Sequence, residues 1–256
     1  LDAVDFHLDV PERVILLDRN GLDTPAIARS SYFRNMMLIS LSRALRDVWQ
    51  EKRYGGFDED YAPQDILMLE RVRAADGDVV TVLVGWEMRG AGMPELWRTM
   101  LGSEDGDIAL AFSSYLEKEP ASLFNGLALV AAFNQWYRAP ARVNACDHEA
   151  LEMMDGILET QQGGNPFGNK KLGRVALEVL SCLPDKTAYL QNYGHNLLTD
   201  PLYAGLCDPI NQSYLMQILH DMQAVYKGGI AFRDNALAEK IFPDDMPADL
   251  VESDLL

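Results

Sequence analysis

Prolines followed by apolar residues at helical spacing constrain this chain more than any other feature of its sequence. Pro63, Pro94, Pro120 and Pro140 each precede apolar residues that recur three or four positions apart. Proline is tolerated in the first turn of a helix, because its missing N–H group would have no partner there. The spacing places the apolar residues on one face of each helix. The pattern predicts helices over 63–90, 94–101, 120–136 and 140–160.

Three further helices and one strand are predicted on either side of this region. A Thr-Pro pair at 24–25 is typical of a helix start, and helical spacing of apolar residues follows it. The additional predicted helices are 24–53, 172–183 and 211–226. The stretch Arg13–Asp18 is apolar and β-branched and precedes an Asn-Gly turn signal, so it predicts a short strand. We therefore expect a mainly α fold, with minor β structure near the N-terminus.

A turn-rich segment separates the predicted helices into two groups. Residues 161–166 read Gln-Gln-Gly-Gly-Asn-Pro, which is the composition of a loop. This predicts a helical domain over 1–160 and a C-terminal helical extension over 161–256 that packs on it as one unit. From Pro243 onward the chain is rich in acidic residues, and we expect a frayed tail there.

The charge balance argues against several classes of partner. The chain has 22 Lys and Arg residues and 39 Asp and Glu residues, a formal net charge of −17. Nucleic acids and anionic membranes are bound through clustered basic residues, so neither is expected as a partner. The most apolar stretch, Val79–Trp86, is too short to span a bilayer. Three widely spaced cysteines indicate free thiols, and we expect a soluble, cytoplasmic protein of undetermined oligomeric state.

Standard catalytic motifs are missing from the sequence. There is no Gly-x-x-x-x-Gly-Lys-Ser/Thr phosphate loop, no Gly-x-Ser-x-Gly nucleophile turn and no His-Glu-x-x-His zinc helix. The nearest fragment lies at 148–152, where His148 and Glu152 share a helix face and could ligate zinc. Glu149 could then act as the general base. The other interpretation of this charged stretch, over 147–155, is a face exposed to solvent.

Residues 41–50 resemble a zinc-peptidase helix. They read Leu-Ser-Arg-Ala-Leu-Arg-Asp-Val-Trp-Gln. The segment is similar to His-Glu-Leu-Arg-His-x-Trp-Gln in a bacterial family of uncharacterised proteins described as putative zinc metallopeptidases. The matching residues are Leu45, Arg46, Trp49 and Gln50. The catalytic positions are degenerate: Arg43 stands at the first ligand, Ala44 at the general base and Asp47 at the second ligand.

A second segment carries the same resemblance. The family has Arg-x-Arg-Glu-Ala-Asp-Ala before an apolar helix and Trp-Glu. Residues 71–77 here read Arg-Val-Arg-Ala-Ala-Asp-Gly, before an apolar run and Trp-Glu. The resemblance implies a zincin-like helical core, with the third zinc ligand replaced by Ala74 and a supporting carboxylate kept at Asp76. Glu70, one helical turn before Ala74, could in principle substitute for the lost ligand.

These replacements argue against zinc catalysis. A guanidinium stays protonated and cannot ligate a metal, and an alanine cannot activate a bound water. We expect Arg43 and Asp47 to pair along one helix face and Asp76 to complete a cluster where the metal would have been. Removing one partner from such a buried cluster costs about 3–5 kcal/mol.

Three functions remain open from the sequence. The first is a catalytically inactive relative of the peptidases, a pseudoenzyme, whose cleft binds a peptide or protein and which has no zinc cofactor. The second is a metallohydrolase with a non-standard zinc site at His148, Glu149 and Glu152. The third is a helical interaction or structural protein unrelated to peptidases.

Overall fold

The fold is taken from a computed structural model of the chain. It describes residues 6–9, 11–17, 21, 23–160, 165–223, 225–227, 230–232 and 240–241. Most of the loop predicted as a domain boundary, 161–164, lies outside the described residues, as does the acidic tail from Pro243.

Helices dominate the described residues, and two small antiparallel hairpins accompany them. The helices are α1 (Thr24–Arg29), α2 (Ser31–Tyr54), α3 (Pro63–Gly90), α4 (Pro94–Leu101), α5 (Gly106–Lys118), α6 (Ser122–Asn125), α7 (Leu127–Trp136), α8 (Pro140–Thr160), α9 (Arg174–Leu180), α10 (Gly194–Thr199), α11 (Pro201–Ala204) and α12 (Pro209–Asp221). The strands are β1 (Phe6–Asp9), β2 (Val14–Leu17), β3 (Val225–Lys227) and β4 (Ile230–Phe232), with β1 paired to β2 and β3 to β4. The predicted mainly α fold with minor β structure near the N-terminus is confirmed.

Pro63, Pro94 and Pro140 begin helices as predicted, whereas Pro120 does not, since the helix there begins at Ser122. Breaks inside two of the predicted helices were missed. The helices predicted over 63–90, 94–101 and 140–160 are confirmed with the same bounds. The helix predicted over 24–53 is two helices, because Ser30 leaves the helical conformation and its side chain accepts a hydrogen bond from the N–H of Phe33. The helix predicted over 120–136 is broken at Gly126, which has a left-handed φ of 78°.

The C-terminal predictions were less accurate. Helix α9 covers only part of the predicted 172–183, whereas α12 begins at Pro209 with Asp208 as its N-cap, which is a typical helix start. The prediction of helix up to Tyr226 was wrong, because α12 ends at Asp221 and β3 begins at Val225. The elements that were not predicted are α5, α10, α11, β1, β3 and β4. Apart from α5, each has six residues or fewer, which is too short for a clear pattern of apolar spacing.

Helix α3 is the central element of the core. It packs against α2, α4, α5, α7, α8 and α9. Ile66, Val72 and Val79 on this helix are completely buried. Two tryptophans, Trp97 and Trp136, are buried in the core, and Trp86 packs against it from a half-buried position. A helix in contact with so many neighbours can position side chains toward several of them.

None of the helices that the structure describes combines the length and the apolarity needed to cross a lipid bilayer.

Two glycines inside α3 make opposite predictions for substitution by alanine. A Cβ atom added at Gly77 meets no atom within 4 Å, whereas one added at Gly85 would lie 2.6 Å from the sulfur of Met100. Glycine in a helix interior costs about 0.5–1 kcal/mol relative to alanine. We expect Gly77→Ala to raise the free energy of unfolding by about that amount, measured by urea denaturation. Gly85→Ala is the matched control and should give no such gain; equal stabilisation by both would contradict the packing described.

Candidate functional site

A cavity of about 710 Å³ lies among α2, α3 and α8, with Phe6 of β1 at its edge. Small residues make room for it: Ala74 and Gly77 of α3 and Ala145 of α8 line its walls. Its volume lies within the usual range for small-molecule sites. The degenerate positions Arg43, Asp47 and Ala74 line this cavity. The positions that the resemblance assigned to metal ligands therefore face one common space.

Arg43 is held in the cavity wall by carboxylates from two other helices. Its Nε donates to Oδ1 of Asp78 at 2.6 Å, and its Nη2 donates to Oδ2 of Asp105. The other carboxylate oxygen of Asp78 accepts a hydrogen bond from Nε1 of Trp136 at 2.8 Å. Burial acts to lower the pKa of Arg43, but the two carboxylates outweigh it and raise the pKa above its ordinary value. The guanidinium is thus locked in its charged form.

The predicted pairing of Arg43 with Asp47 and Asp76 was wrong. Arg43 and Asp47 lie on the same helix with the basic residue first, which is the weaker order for a pair four apart. Asp78 from α3 and Asp105 at the start of α5 reach the guanidinium instead. We therefore expect the predicted stability cost on loss of Asp78 or Asp105, which pair with Arg43, and not on loss of Asp47.

Asp76 is buried away from the cavity and pairs with Arg46. Nε of Arg46 donates to Oδ2 of Asp76 at 2.6 Å, and Nε2 of Gln50 donates to the same oxygen at 2.6 Å. The hydroxyl of Tyr189 donates to Oδ1 at 2.8 Å. Burial raises the pKa of Asp76 in spite of these partners. The carboxylate predicted to support a metal site therefore holds α2, α3 and the segment after α9 together.

Ala44 does not reach the cavity. It is completely buried, and it is not among the residues that line the cavity. The position that the resemblance assigned to the general base carries neither a proton acceptor nor contact with the space where a substrate would bind.

Two carboxylates and one arginine of the cavity lining lie close to one another. Asp47 of α2 and Glu70 of α3 line the cavity with Arg73. Nε of Arg73 is 3.8 Å from Oε1 of Glu70, too far for a hydrogen bond. Both atoms are buried without a hydrogen-bond partner. Burial raises the pKa of Asp47, and burial with the nearby charge of Asp47 raises the pKa of Glu70 to about 7, although Arg73 opposes both shifts.

The cavity also contains a cysteine. Cys146 of α8 lines it, and burial together with the negative charges of Asp147 and Glu70 raises the pKa of its thiol well above the ordinary value. Since the thiolate is the reactive form of cysteine, this side chain is not an activated nucleophile at neutral pH.

The charged stretch over 147–155 is not a uniformly exposed face, as one interpretation held. Asp147 is 1% exposed and binds Arg71 through both carboxylate oxygens, one of them at 2.8 Å. Arg71 also donates to the carbonyls of Tyr203 and Gly205. This segment therefore carries one of the structural ion pairs of the core.

His148 and Glu152 lie on the side of α8 that faces α12. Nε2 of His148 is 3.4 Å from Oε1 of Glu152, and Nδ1 is 3.3 Å from Oδ1 of Asn211. Glu149 faces the cavity instead. Across the described residues there is no group of three or more His, Cys, Asp or Glu side chains placed to hold a metal ion. The geometry does not favour the predicted metallohydrolase site.

The sequence missed the carboxylates that hold Arg43. Asp78 lies two residues after Asp76, and Asp105 precedes the unpredicted α5. The sequence did contain a signal for such partners. Arg43 stands at a position that the resemblance assigns to a metal ligand, and an arginine buried there needs carboxylate partners somewhere in the fold.

One protein-family model matches the chain. It is described as a putative metallopeptidase family, DUF6782, and it matches residues 26–190. The matched range contains every residue that lines the cavity except Phe6. Searches of curated proteins and of solved structures give no significant match. The predicted membership of a putative metallopeptidase family is confirmed. The motif positions assigned within residues 41–50 and 71–77 and the zincin-like topology stay predictions.

Asp76→Ala should destabilise the protein by about 3–5 kcal/mol, because it leaves the guanidinium of Arg46 buried without its carboxylate. Chemical denaturation followed by circular dichroism measures this change. Glu95→Ala is the control, since Glu95 pairs with Arg98 on the surface, where both side chains are more than half exposed, and such pairs contribute less than about 1 kcal/mol. A loss at Asp76 no greater than at Glu95 would contradict the structural role assigned to this ion pair.

Glu70→Gln should change how stability depends on pH. A carboxyl with a higher pKa in the folded chain binds more protons when folded, so stability falls as the pH rises from about 4.5 to about 7. Glu70→Gln lacks this titration. Its free energy of unfolding should therefore rise relative to that of the wild type, by about 1–3 kcal/mol between pH 5 and pH 8. Urea denaturation at both pH values measures it. Glu87→Gln, at an exposed position of the same helix, should show no such gain; a pH-independent difference at Glu70 would refute the cause given.

Proposed function

The chain belongs to the putative metallopeptidase family, and from that premise we propose that it is a pseudoenzyme that binds peptides without hydrolysing them. One observation carries the proposal. Arg43, which stands at the first metal-ligand position of the resemblance, lies in the cavity wall with its guanidinium bound to Asp78 and Asp105. In this proposal the cavity keeps the space for a peptide, and the ion cluster of Arg43, Asp78 and Asp105 takes the place of a catalytic metal.

The residues present do not fit a catalytic zinc. Such a metal takes three protein ligands and leaves a fourth position open. Arg43 supplies a fixed positive charge, and Ala74 supplies no donor atom. Asp47 and Glu70 remain as two carboxylates, with the cation of Arg73 beside them. Among the described residues no histidine lines the cavity, and no group of three or more His, Cys, Asp or Glu side chains is placed to hold a metal ion.

Hydrolysis without a metal lacks support as well. In the part of the chain that the structure describes, no serine, threonine or histidine lines the cavity, and Cys146 keeps its proton at neutral pH. A carboxyl such as Glu70 could exchange a proton near neutral pH, but general acid–base catalysis also needs a group that stabilises the developing oxyanion. The three cavity arginines are already bound to carboxylates or carbonyls.

Binding remains as the use that this cavity supports. Its walls combine small apolar residues with charged groups held by hydrogen bonds, as in sites that orient a ligand through a few polar contacts. A peptide segment fits a space of about 710 Å³ through one or two side chains. The family membership favours a peptide over other small ligands.

Zinc content and peptide cleavage test this proposal. We expect protein purified without a metal-affinity tag to contain far less than one equivalent of zinc by elemental analysis. We also expect it to leave a mixed peptide library intact by mass spectrometry, with or without added zinc. Stoichiometric zinc that disappears in Asp47→Asn or Glu70→Gln, or cleavage that depends on those residues, would overturn it.

The control addresses adventitious zinc at the exposed pair of His148 and Glu152. His148→Gln removes the only histidine of that pair. Weak zinc binding that this variant abolishes belongs to the surface of α8, and it leaves the proposal for the cavity standing.

A further inference from the structure

The cavity is richer in hydrogen-bond acceptors than in free donors. The acidic residues that line it are Asp47, Glu70, Asp78, Glu104, Asp105 and Glu149, and the basic residues are Arg43, Arg73 and Arg142. Carboxylates thus outnumber guanidinium groups two to one. A ligand that enters this space meets a negative field, which favours a positively charged group.

Two of the three arginines of the cavity, Arg43 and Arg142, are held by acceptors of the protein itself. Arg43 binds two carboxylates. Arg142 donates to Asp107 at 2.8 Å and to the backbone carbonyls of Glu104 and Trp136 at 2.9 and 3.2 Å. An anionic ligand would have to displace these partners. At Arg73, whose Nε has no hydrogen-bond partner, it would instead meet the carboxylates of Asp47 and Glu70.

The carboxylates of Glu70 and Asp47 differ from these arginines in their hydrogen bonding. Oε1 of Glu70 is buried and accepts no hydrogen bond, although buried carboxylate oxygens are usually hydrogen-bonded. Its nearest basic atom, Nε of Arg73, is 3.8 Å away, and the guanidinium of Arg73 donates to the carbonyl of Gly55 instead. Among the described residues no arginine donates a hydrogen bond to Asp47. Ala74 lines the cavity beside them without filling it.

We propose that Asp47 and Glu70 bind a primary ammonium group, carried into the cavity on an alkyl chain. This inference rests on the proposed peptide-binding function, and it assigns that function a preferred side chain, lysine. An ammonium group has three donors and can satisfy oxygens of both carboxylates at once. Its alkyl stem would lie against Ala74 and Gly77, and it leaves the hydrogen bonds of Arg43 undisturbed. A free alkyl diamine has the same chemistry.

The pH dependence of binding follows from the surroundings of Glu70. Asp47 on α2, Arg73 on α3 and Cys146 on α8 are the titratable or charged groups in electrostatic contact with it. Because the pKa of Glu70 is about 7, this carboxyl is largely protonated at pH 6 and charged at pH 8. An ammonium ligand should therefore bind more tightly at pH 8.

Titration calorimetry with matched ligands tests the inference. The probes are the blocked peptide acetyl-Ala-Lys-Ala-amide, its norleucine counterpart, which has the same alkyl length without the charge, and 1,5-diaminopentane. We expect the lysine peptide to bind at least tenfold more tightly than the norleucine peptide at pH 8, and that advantage to shrink at pH 6. The double variant Asp47→Asn/Glu70→Gln should lose the advantage. Glu87→Gln, outside the cavity on α3, should keep it.

The possible results distinguish failure of the ammonium site from failure of the proposed peptide-binding function. Equal affinity for the lysine and norleucine peptides, unaffected by the double variant, would overturn the ammonium site and leave peptide binding standing. Diaminopentane that binds through Asp47 and Glu70, when neither peptide binds, would support the ammonium site and overturn the peptide function. No binding of any probe would overturn both. Loss of binding in the double variant counts only if its circular dichroism spectrum and melting temperature match the wild type.

Discussion

The burial of guanidinium groups is the constraint on which the packing of this protein depends. Arg46 and Arg71 are 5% and 2% exposed, and an ion moved into a protein interior costs several kcal/mol unless it is paired and hydrogen-bonded. Arg46 meets Asp76 between α2 and α3, and Arg71 meets Asp147 between α3 and α8. The two pairs fix how three helices are rotated against one another, and the cavity lies among the same three helices.

Arg43 and Arg46 lie one turn apart on α2 and both pair with aspartates, but their surroundings differ. Arg46 is surrounded by the core and joins secondary structure elements. Arg43 faces the cavity, where Asp78 and Asp105 neutralise it without filling the space. The ion pairs that hold the helices together are therefore separate from the cluster that Arg43 forms in the cavity wall.

The sequence predicted the helices better than it predicted the site. Proline starts gave α3, α4 and α8 with correct bounds, since the first turn of a helix depends on local geometry. The sequence also indicated that Arg43, Asp47 and Ala74 lie at one site, because the resemblance assigns all three to metal-ligand positions. It assigned Arg43 the wrong partners, since the choice among Asp47, Asp76 and Asp78 depends on how α2, α3 and α5 pack and not on spacing along one helix. The depth of Asp147 was missed for the same reason: its partner lies 76 positions away.

The contacts that complete the buried ion pairs have a consequence for the order in which the chain can fold. Nη2 of Arg46 donates to the carbonyls of Leu180 and Cys182, and Tyr189 donates to Asp76. Leu180 is made 134 positions after Arg46, a delay of roughly 10 s at ordinary rates of translation. During that interval α2 and α3 leave the ribosome with charges that they cannot fully satisfy by themselves. Those groups must stay hydrated, so the native packing of the first helices waits for the synthesis of residues that lie far beyond them.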